Sequence, residues 1–345
     1  VQEPRWKRSA RRLVSIPGVL VAAVVLAAAT LVWVPLSVVV DVARRRWRLP
    51  LLRLLAFALC WAWLESFAMV ACMLTWITGQ RNNRPVHYRL QAWWASALMT
   101  VLQATTGIRV LTKLDGLSPG PAVMICRHAS LADSLTSAWA IISGAGLRPR
   151  YVLKKELLAD PCLDVVGHRL PNHFLDRQAV DSGPELAALT RLTTGMGDGD
   201  VSVIFPEGTR ASPHKRERAL AAIARSDPER AQRLSALRHL LPPRPAGTIA
   251  MLQGAPDADL VVGWHSGFDG LDTFGGILRH LARRPPPVRF AVRRIPRHEV
   301  PSDPNVLAAW LDQVWLTADR EVARLIEHDE PRNHDHRATD RVRSD

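Results

Sequence analysis

Hydrophobic residues are very unevenly placed along the 345 positions of this chain. Residues 13–40 carry no formal charge, and a second apolar run at 54–80 holds a single carboxylate, Glu65. Each run exceeds the ~20 apolar residues that cross a bilayer core. The first is too long for a signal peptide, and Trp33, Pro35 and Leu36 offer no small-residue cleavage site, so a retained membrane anchor is expected. Arg5, Lys7, Arg8, Arg11 and Arg12 precede the first run; Arg44, Arg45, Arg46, Arg48 and Arg53 lie between the runs or at their edge; Arg81, Arg84 and Arg89 follow. Two complete crossings would put the middle cluster outside, against the positive-inside tendency. Pro17, Pro35 and Pro50 permit kinked helices that enter one leaflet and return. The expectation is a hairpin, re-entrant or spanning, with the following domain on the cytoplasmic face and Glu65 paired or close to an interface.

Beyond Pro85 the pattern changes. Residues 85–106 read as an amphipathic helix carrying Trp93, Trp94, Leu98, Met99, Val101 and Leu102, with the paired tryptophans suited equally to a headgroup-level belt or a core face. Short apolar runs follow at 108–114, 122–126, 151–153, 201–205 and 260–264, and 288–295 partly alternates as a half-exposed strand does. Helix starts are legible between them. Ser182 and Glu185 have capping-box spacing with Gly195 as a stop, while Ser212-Pro213, Asp227-Pro228 and Asp303-Pro304 each set a capping side chain before a first-turn proline. Strands alternating with helices predict an α/β domain with a mixed, partly parallel sheet flanked by helices. Three regions result: a membrane anchor with two hydrophobic helices at 1–84, a catalytic-type domain at 85–328, and a polar tail at 329–345 expected to be disordered.

Charge narrows the partners. Lys and Arg outnumber Asp and Glu by 45 to 32, a formal +13, which favours acidic ones: nucleic acid, anionic lipid or phosphorylated substrates. Much of the excess sits beside the apolar runs, where anionic lipid accounts for it, and no nucleic-acid recognition motif is present. Cys60, Cys72, Cys126 and Cys162 lack metal-type spacing, so neither a zinc module nor a disulfide framework is expected.

Candidate chemistry starts at Arg127-His128-Ala129-Ser130-Leu131-Ala132-Asp133. Histidine is the natural general base near neutral pH, and a carboxylate fixes its tautomer. An offset of five leaves the pair roughly 140° apart around a helix, so they meet only if His128 sits on the loop after the 122–126 strand and Asp133 in the next helix's first turn. His298 and Asp303 share the spacing, but there the aspartate reads as a helix cap. At Phe205-Pro206-Glu207-Gly208-Thr209-Arg210 an apolar strand ends in a turn where glycine admits a ligand to the backbone and arginine can grip a phosphate. A third segment, Gly167 through Phe174-Leu175-Asp176-Arg177, closes on another Asp-Arg pair.

In this order the blocks resemble the glycerolipid acyltransferase family that includes 1-acyl-sn-glycerol-3-phosphate acyltransferases. His128 and Asp133 match its His-x-x-x-x-Asp block, Phe174-Leu175-Asp176-Arg177 its second block, and Phe205–Arg210 its Phe-Pro-Glu-Gly-Thr-Arg block without a change. Lys154-Lys155-Glu156-Leu157 resembles a recurrent segment between the first two, and Leu240-Leu241-Pro242-Pro243-Arg244 resembles the lysophosphatidate and lysocardiolipin acyltransferase branch. The likeness spans 85–301. The fourth block departs, because Leu260-Val261-Val262-Gly263-Trp264 lacks the usual proline, and no substrate contact is assigned there.

The resemblance implies a membrane-bound O-acyltransferase that moves an acyl chain from acyl-CoA or acyl-ACP to the sn-2 hydroxyl of 1-acyl-sn-glycerol 3-phosphate. His128 would be the general base and Asp133 its orienting partner; Ser130 is not needed as a nucleophile. Arg177 and Arg210 would bind the acceptor's phosphate. Glu207 would position the glycerol hydroxyls or orient an arginine, while Gly208 and Thr209 shape the turn. No metal or redox cofactor is implied, and the partners are a phosphate-bearing lipid, the acyl donor and an anionic membrane surface. Another acceptor (a lysophospholipid, glycerol 3-phosphate or a glycolipid) and a non-catalytic membrane-shaping role stay open as alternatives.

Overall fold

The computed structural model describes residues 4–176, 181–271 and 273–342, with side chains through residue 328. Three apolar helices, α1 (Arg5–Ala28), α2 (Thr30–Ala43) and α3 (Pro50–Ile77), precede α4 (Arg84–Thr106). Next come β1 (Val110–Lys113), β2 (Ala122–Cys126), α5 (Asp133–Trp139) with a π-helical turn after it, β3 (Arg148–Lys154), α6 (Pro161–Gly167), β4 (His173–Leu175) and α7 (Gly183–Thr193). The remainder is β5 (Asp200–Ile204), α8 (Pro213–Ala224), α9 (Pro228–Leu234), α10 (Pro245–Gly254), β6 (Asp259–Ser266), α11 (Phe274–Ala282), β7 (Val288–Ile295) and α12 (Pro304–Val342).

The strands form one seven-stranded sheet in the order β1-β7-β6-β2-β5-β3-β4. All neighbours are parallel except β6 and β7, so β1 and β7 run against the other five. This is the mixed sheet that the alternation of strands and helices predicts. The central strand β2 is buried on both faces. Val123 and Ile125 join a core with Leu189, Met251, Leu307 and Trp315. Met124 and Cys126 join the opposite core with Ile141, Tyr151 and Phe290. Buried on both sides, the strand must be apolar throughout, which is why it reads as an unbroken run. Because β2, β5 and β6 are parallel neighbours, the loops leaving their C-terminal ends emerge side by side at one edge.

Local signals fix most helix starts. Ser212 Oγ accepts from Lys215 N at 3.4 Å, Asp227 Oδ1 from Arg230 N at 2.9 Å, and Asp303 Oδ1 from Val306 N at 3.0 Å. Gly195, at φ +68°, follows α7 as expected. The Ser182–Glu185 capping box does not form: Ser182 makes no side-chain cap, and Glu185 Oε2 lies 2.7 Å from His173 Nε2 on β4. A tertiary ion pair there takes the carboxylate that local capping would use. At the other end, α12 does not stop at the polar tail but continues to Val342. Its last residues are polar yet mostly compatible with a helix already nucleated by an apolar face.

The N-terminal region also differs from a simple two-helix hairpin, since the first apolar run is divided at Ala29. Pro35 has no N–H to give the preceding turn. At the break itself Leu26 O accepts Trp33 Nε1 at 2.8 Å and Ala27 O accepts Thr30 Oγ1 at 2.6 Å. Two helices, α1 and α3, are long and apolar enough to cross a membrane by length and composition.

The anchor does not stand apart from the domain. Asp164 on α6 holds Arg11 Nε at 2.9 Å and Arg12 Nη2 at 2.8 Å, fastening the start of α1. Asp41 caps α3 by accepting Leu51 N at 2.8 Å. Along α3, Arg53 Nε donates to Thr105 O at the end of α4, Trp94 Nε1 donates to Glu65 at 2.9 Å, and Arg169 Nη1 donates to Thr75 Oγ1 at 2.8 Å. Glu65 is thus paired, through Trp94. Trp93 is exposed while Trp94 is half-buried, so the two tryptophans divide the roles between surface and core. The opposite faces of α1, α2 and α3 leave Val21, Val24, Leu31, Val32, Phe67, Val70 and Trp76 exposed.

Candidate active site

Three chain segments meet where β2, β5 and β6 end. His128 leaves the end of β2, two residues beyond the ladder, and Asp133 opens α5, the loop-and-first-turn arrangement that the five-residue offset requires. His128 Nδ1 lies 3.0 Å from Asp133 Oδ2. That oxygen also accepts the backbone N–H groups of Ala129 and Ser130, at 2.5 and 2.7 Å, while Oδ1 accepts Ser130 Oγ at 2.7 Å. The carboxylate therefore organises the whole loop. Burial raises its pKa, but His265 and the hydrogen bonds from His128 and Ser130 outweigh this and hold it below the ordinary aspartate value. Ser130 is spent on Asp133, in keeping with a serine that is not the nucleophile.

The Phe205–Arg210 block is stitched to this loop. The His128 ring packs on Phe205 with centroids 4.8 Å apart. Ala211 N donates to His128 O at 2.7 Å. Glu207, only 2% exposed, accepts His128 N at 2.8 Å through Oε1 and Leu241 N at 3.1 Å through Oε2. Both carboxylate oxygens accept backbone N–H groups, so Glu207 clamps the histidine loop to the Leu-Pro-Pro-Arg segment. Gly208 adopts φ +71°, and a Cβ there would lie 3.3 Å from the Arg244 guanidinium, so both conformation and space call for glycine.

His128, Gly208 and Arg210 line one cavity of about 690 Å3, together with Lys154, Asp176 and Arg244 at its polar end. Much of its remaining wall is apolar and includes Leu54, Phe57 and Trp61 of α3 and Trp94, Leu98 and Leu102 of α4. Glu207 and Thr209 are not among the lining residues. Lys155 pairs with Asp176 at 3.0 Å instead of facing the cavity. Arg177 lies outside the described residues. Cys126 is fully buried in the core, and burial raises its thiol far above the usual range. His298 and Asp303 do not form a second dyad, since Asp303 caps α12 and the His298 ring is largely exposed.

Residues 107–253 match the acyltransferase family model. Over that stretch, less than half of its length, the chain is similar to acyltransferases. Lysocardiolipin acyltransferase 1 of Danio rerio is 24% identical over 261 residues, which are 69% of this chain and 61% of that protein, so the chain spans less than two thirds of that relative's length. The crystal structure of the 1-acyl-sn-glycerophosphate (LPA) acyltransferase PlsC from Thermotoga maritima aligns at a TM-score of 0.45 and 14% identity, over 76% of this chain and 94% of that one. The matched region of the acyltransferase domain contains every element that carries His128, Asp133 and Arg210.

Sequence reasoning missed four residues around this acyltransferase site. Arg244 reaches the cavity through the turn at Gly208. Buried Arg127 and His265 lie behind Asp133, with the exposed Asp269 pairing with Arg127. The signal for His265 was present: strand β6 continues two residues past Trp264, and a histidine in a mostly buried strand needs a partner.

Proposed function

We propose that this acyltransferase moves an acyl chain from acyl-CoA or acyl-ACP to the sn-2 hydroxyl of 1-acyl-sn-glycerol 3-phosphate, forming phosphatidic acid. One observation carries the proposal: a histidine held by a buried aspartate lines the same cavity as basic side chains and a long apolar wall. With Nδ1 directed at Asp133, His128 presents Nε2 as the base. That nitrogen takes the proton from the acceptor hydroxyl as its oxygen attacks the thioester carbon. The carbon–sulfur bond breaks, and the imidazolium returns its proton to the departing thiolate. Asp133 offsets the transient charge on the ring. Arg210 and Arg244 receive the phosphate, Lys154 adds charge at the same end, and the apolar wall from α3 and α4 accepts an acyl chain.

The anchor reads best as lying in one leaflet with the domain on the cytoplasmic face. The 14-residue α2 rises only about 21 Å, short of the ~30 Å core. α3 is held along its length by Thr105, Trp94 and Arg169, so it lies on the domain and does not project from it.

An acceptor panel with labelled acyl donor tests the proposal on detergent-purified protein. Lysophosphatidate is the expected best acceptor, His128→Ala abolishes transfer, and Arg210→Ala raises KM chiefly for phosphate-bearing acceptors. Turnover retained by His128→Ala removes it as the base. A preference for a lysophospholipid over lysophosphatidate reassigns the acceptor, the outcome that the likeness to a lysocardiolipin acyltransferase favours.

A further inference from the structure

Behind the His128–Asp133 pair lies a second histidine that no part of the proposed chemistry uses. β6 runs parallel to β2 with Gly263 opposite Cys126, so His265 falls beside the loop that carries His128. It is completely buried, and its Nε2 lies 3.2 Å from Asp133 Oδ1. Neither ring nitrogen makes an aligned hydrogen bond. The ring is braced from behind: the Arg127 guanidinium donates to His265 O and pairs with Asp269, and Phe268 meets the ring edge-on at 5.5 Å. An imidazole without an aligned partner, buried at contact distance from a catalytic carboxylate, is an expensive arrangement for mere packing.

We infer that His265 is a positioning residue for the catalytic pair, completing a line His128–Asp133–His265 in which its Nε2–H donates to Asp133 Oδ1 when the reaction charges His128. This rests on His128 acting as the base. The two carboxylate oxygens then have separate duties. Oδ2 faces His128 Nδ1, and Oδ1 is held by Ser130 Oγ and His265, which stops the carboxylate from turning. The charged groups facing His265 are Asp133 from α5, Arg127 after β2, and Asp269 after β6. His239 acts on it through Asp269. Burial lowers the His265 pKa and Arg127 adds to that, which outweighs the two carboxylates. A neutral ring serves the role, since a cationic one would compete with His128 for the charge on Asp133.

His265→Leu and His265→Gln, assayed beside wild type and His128→Ala, test this. The leucine variant is expected to lose about 10- to 100-fold in kcat with both KM values little changed. Its acid limb in the kcat/KM profile moves up by on the order of half a unit, because a carboxylate without that donor holds a proton on His128 more firmly. The glutamine variant, whose amide can donate, restores the limb and most of kcat. A folded leucine variant with normal kcat and an unmoved limb overturns the inference, as does an equal loss in both variants with no shift. Nitrogen-15 NMR of histidine-labelled wild-type protein gives an arm independent of folding in the variants. His265, assigned from the glutamine variant, should stay a neutral Nε2–H tautomer from pH 5 to 9, and a cationic ring or an Nδ1–H tautomer overturns the inference. Activity surviving in His128→Ala fails the base itself, a separate result.

Discussion

Replacing Glu207 separates a clamp from a substrate contact. Its two oxygens accept the buried N–H groups of His128 and Leu241. Glutamine keeps the shape but offers one acceptor, turning an amide nitrogen toward the other N–H and leaving that donor unsatisfied, at about 1–3 kcal/mol. Alanine abandons both donors, at about 2–6 kcal/mol. The pH dependence has a definite sign. Burial pushes the Glu207 carboxyl up to about 8, against the lowering by the His128 N–H and Arg127. A carboxyl raised in the folded state stabilises it fully below the unfolded value near 4.5, and that contribution is lost as pH rises through 8. At about 1.4 kcal/mol per unit the swing is on the order of 5 kcal/mol. Glutamine does not titrate, so the wild-type advantage over Glu207→Gln should be large at pH 5 and much smaller at pH 9. Denaturant unfolding in detergent, followed by tryptophan fluorescence at both pH values, measures it. Steady-state kinetics should show kcat falling with KM for the acceptor nearly constant. Wild-type stability at both pH values, with KM raised selectively for the phosphorylated acceptor, would refute the clamp and return Glu207 to the substrate.

Asp164→Ala should release the start of α1, at about 1–3 kcal/mol given that both arginines are partly exposed, so trypsin cleaves near Lys7 and Arg8 while wild type resists. The hydrogen bonds from His168, Arg12 and Arg11 overcome burial and hold the Asp164 carboxyl well below its usual range, so in wild type the protection persists at neutral pH and fails only in strong acid. Trp47→Cys, in the exposed turn between α2 and α3, should escape a membrane-impermeant maleimide in intact cells and react after permeabilisation. Strong labelling of intact cells contradicts the one-leaflet anchor.

What could be read in advance depended on whether a residue's partner was local. The caps at Ser212, Asp227 and Asp303 act within three residues, and all three form. β7 occupies 288–295 as its alternation indicates. Glu185 has equally good local spacing, yet its partner is His173, twelve positions back. β4 is three half-buried residues whose strand character comes only from pairing with β3. The site divides the same way. His128 and Asp133 are five apart and were legible together, whereas His265 lies far along the chain and enters only because β6 happens to neighbour β2. Glu207 was legible as a member of the block but not in its direction, because inward and outward carboxylates look alike in sequence.

The boundary drawn at 84/85 separates two compositions but not two functions. α3 belongs by hydropathy to the anchor, yet Leu54, Phe57 and Trp61 form part of the wall of the cavity that His128 lines. The same helix carries Glu65 to Trp94 and ends against Arg169, so its cavity-facing and surface-facing sides are fixed in relation to each other. Phe67, Val70, Met73 and Trp76 remain outward. One helix thus carries an exposed apolar face and part of the cavity wall, an arrangement that would serve the proposed acyl transfer by bringing a lipid chain to the cavity along α3. It also explains why two guanidiniums at the start of α1, one in α3 and another in Arg169 are committed to fastening these helices to the domain.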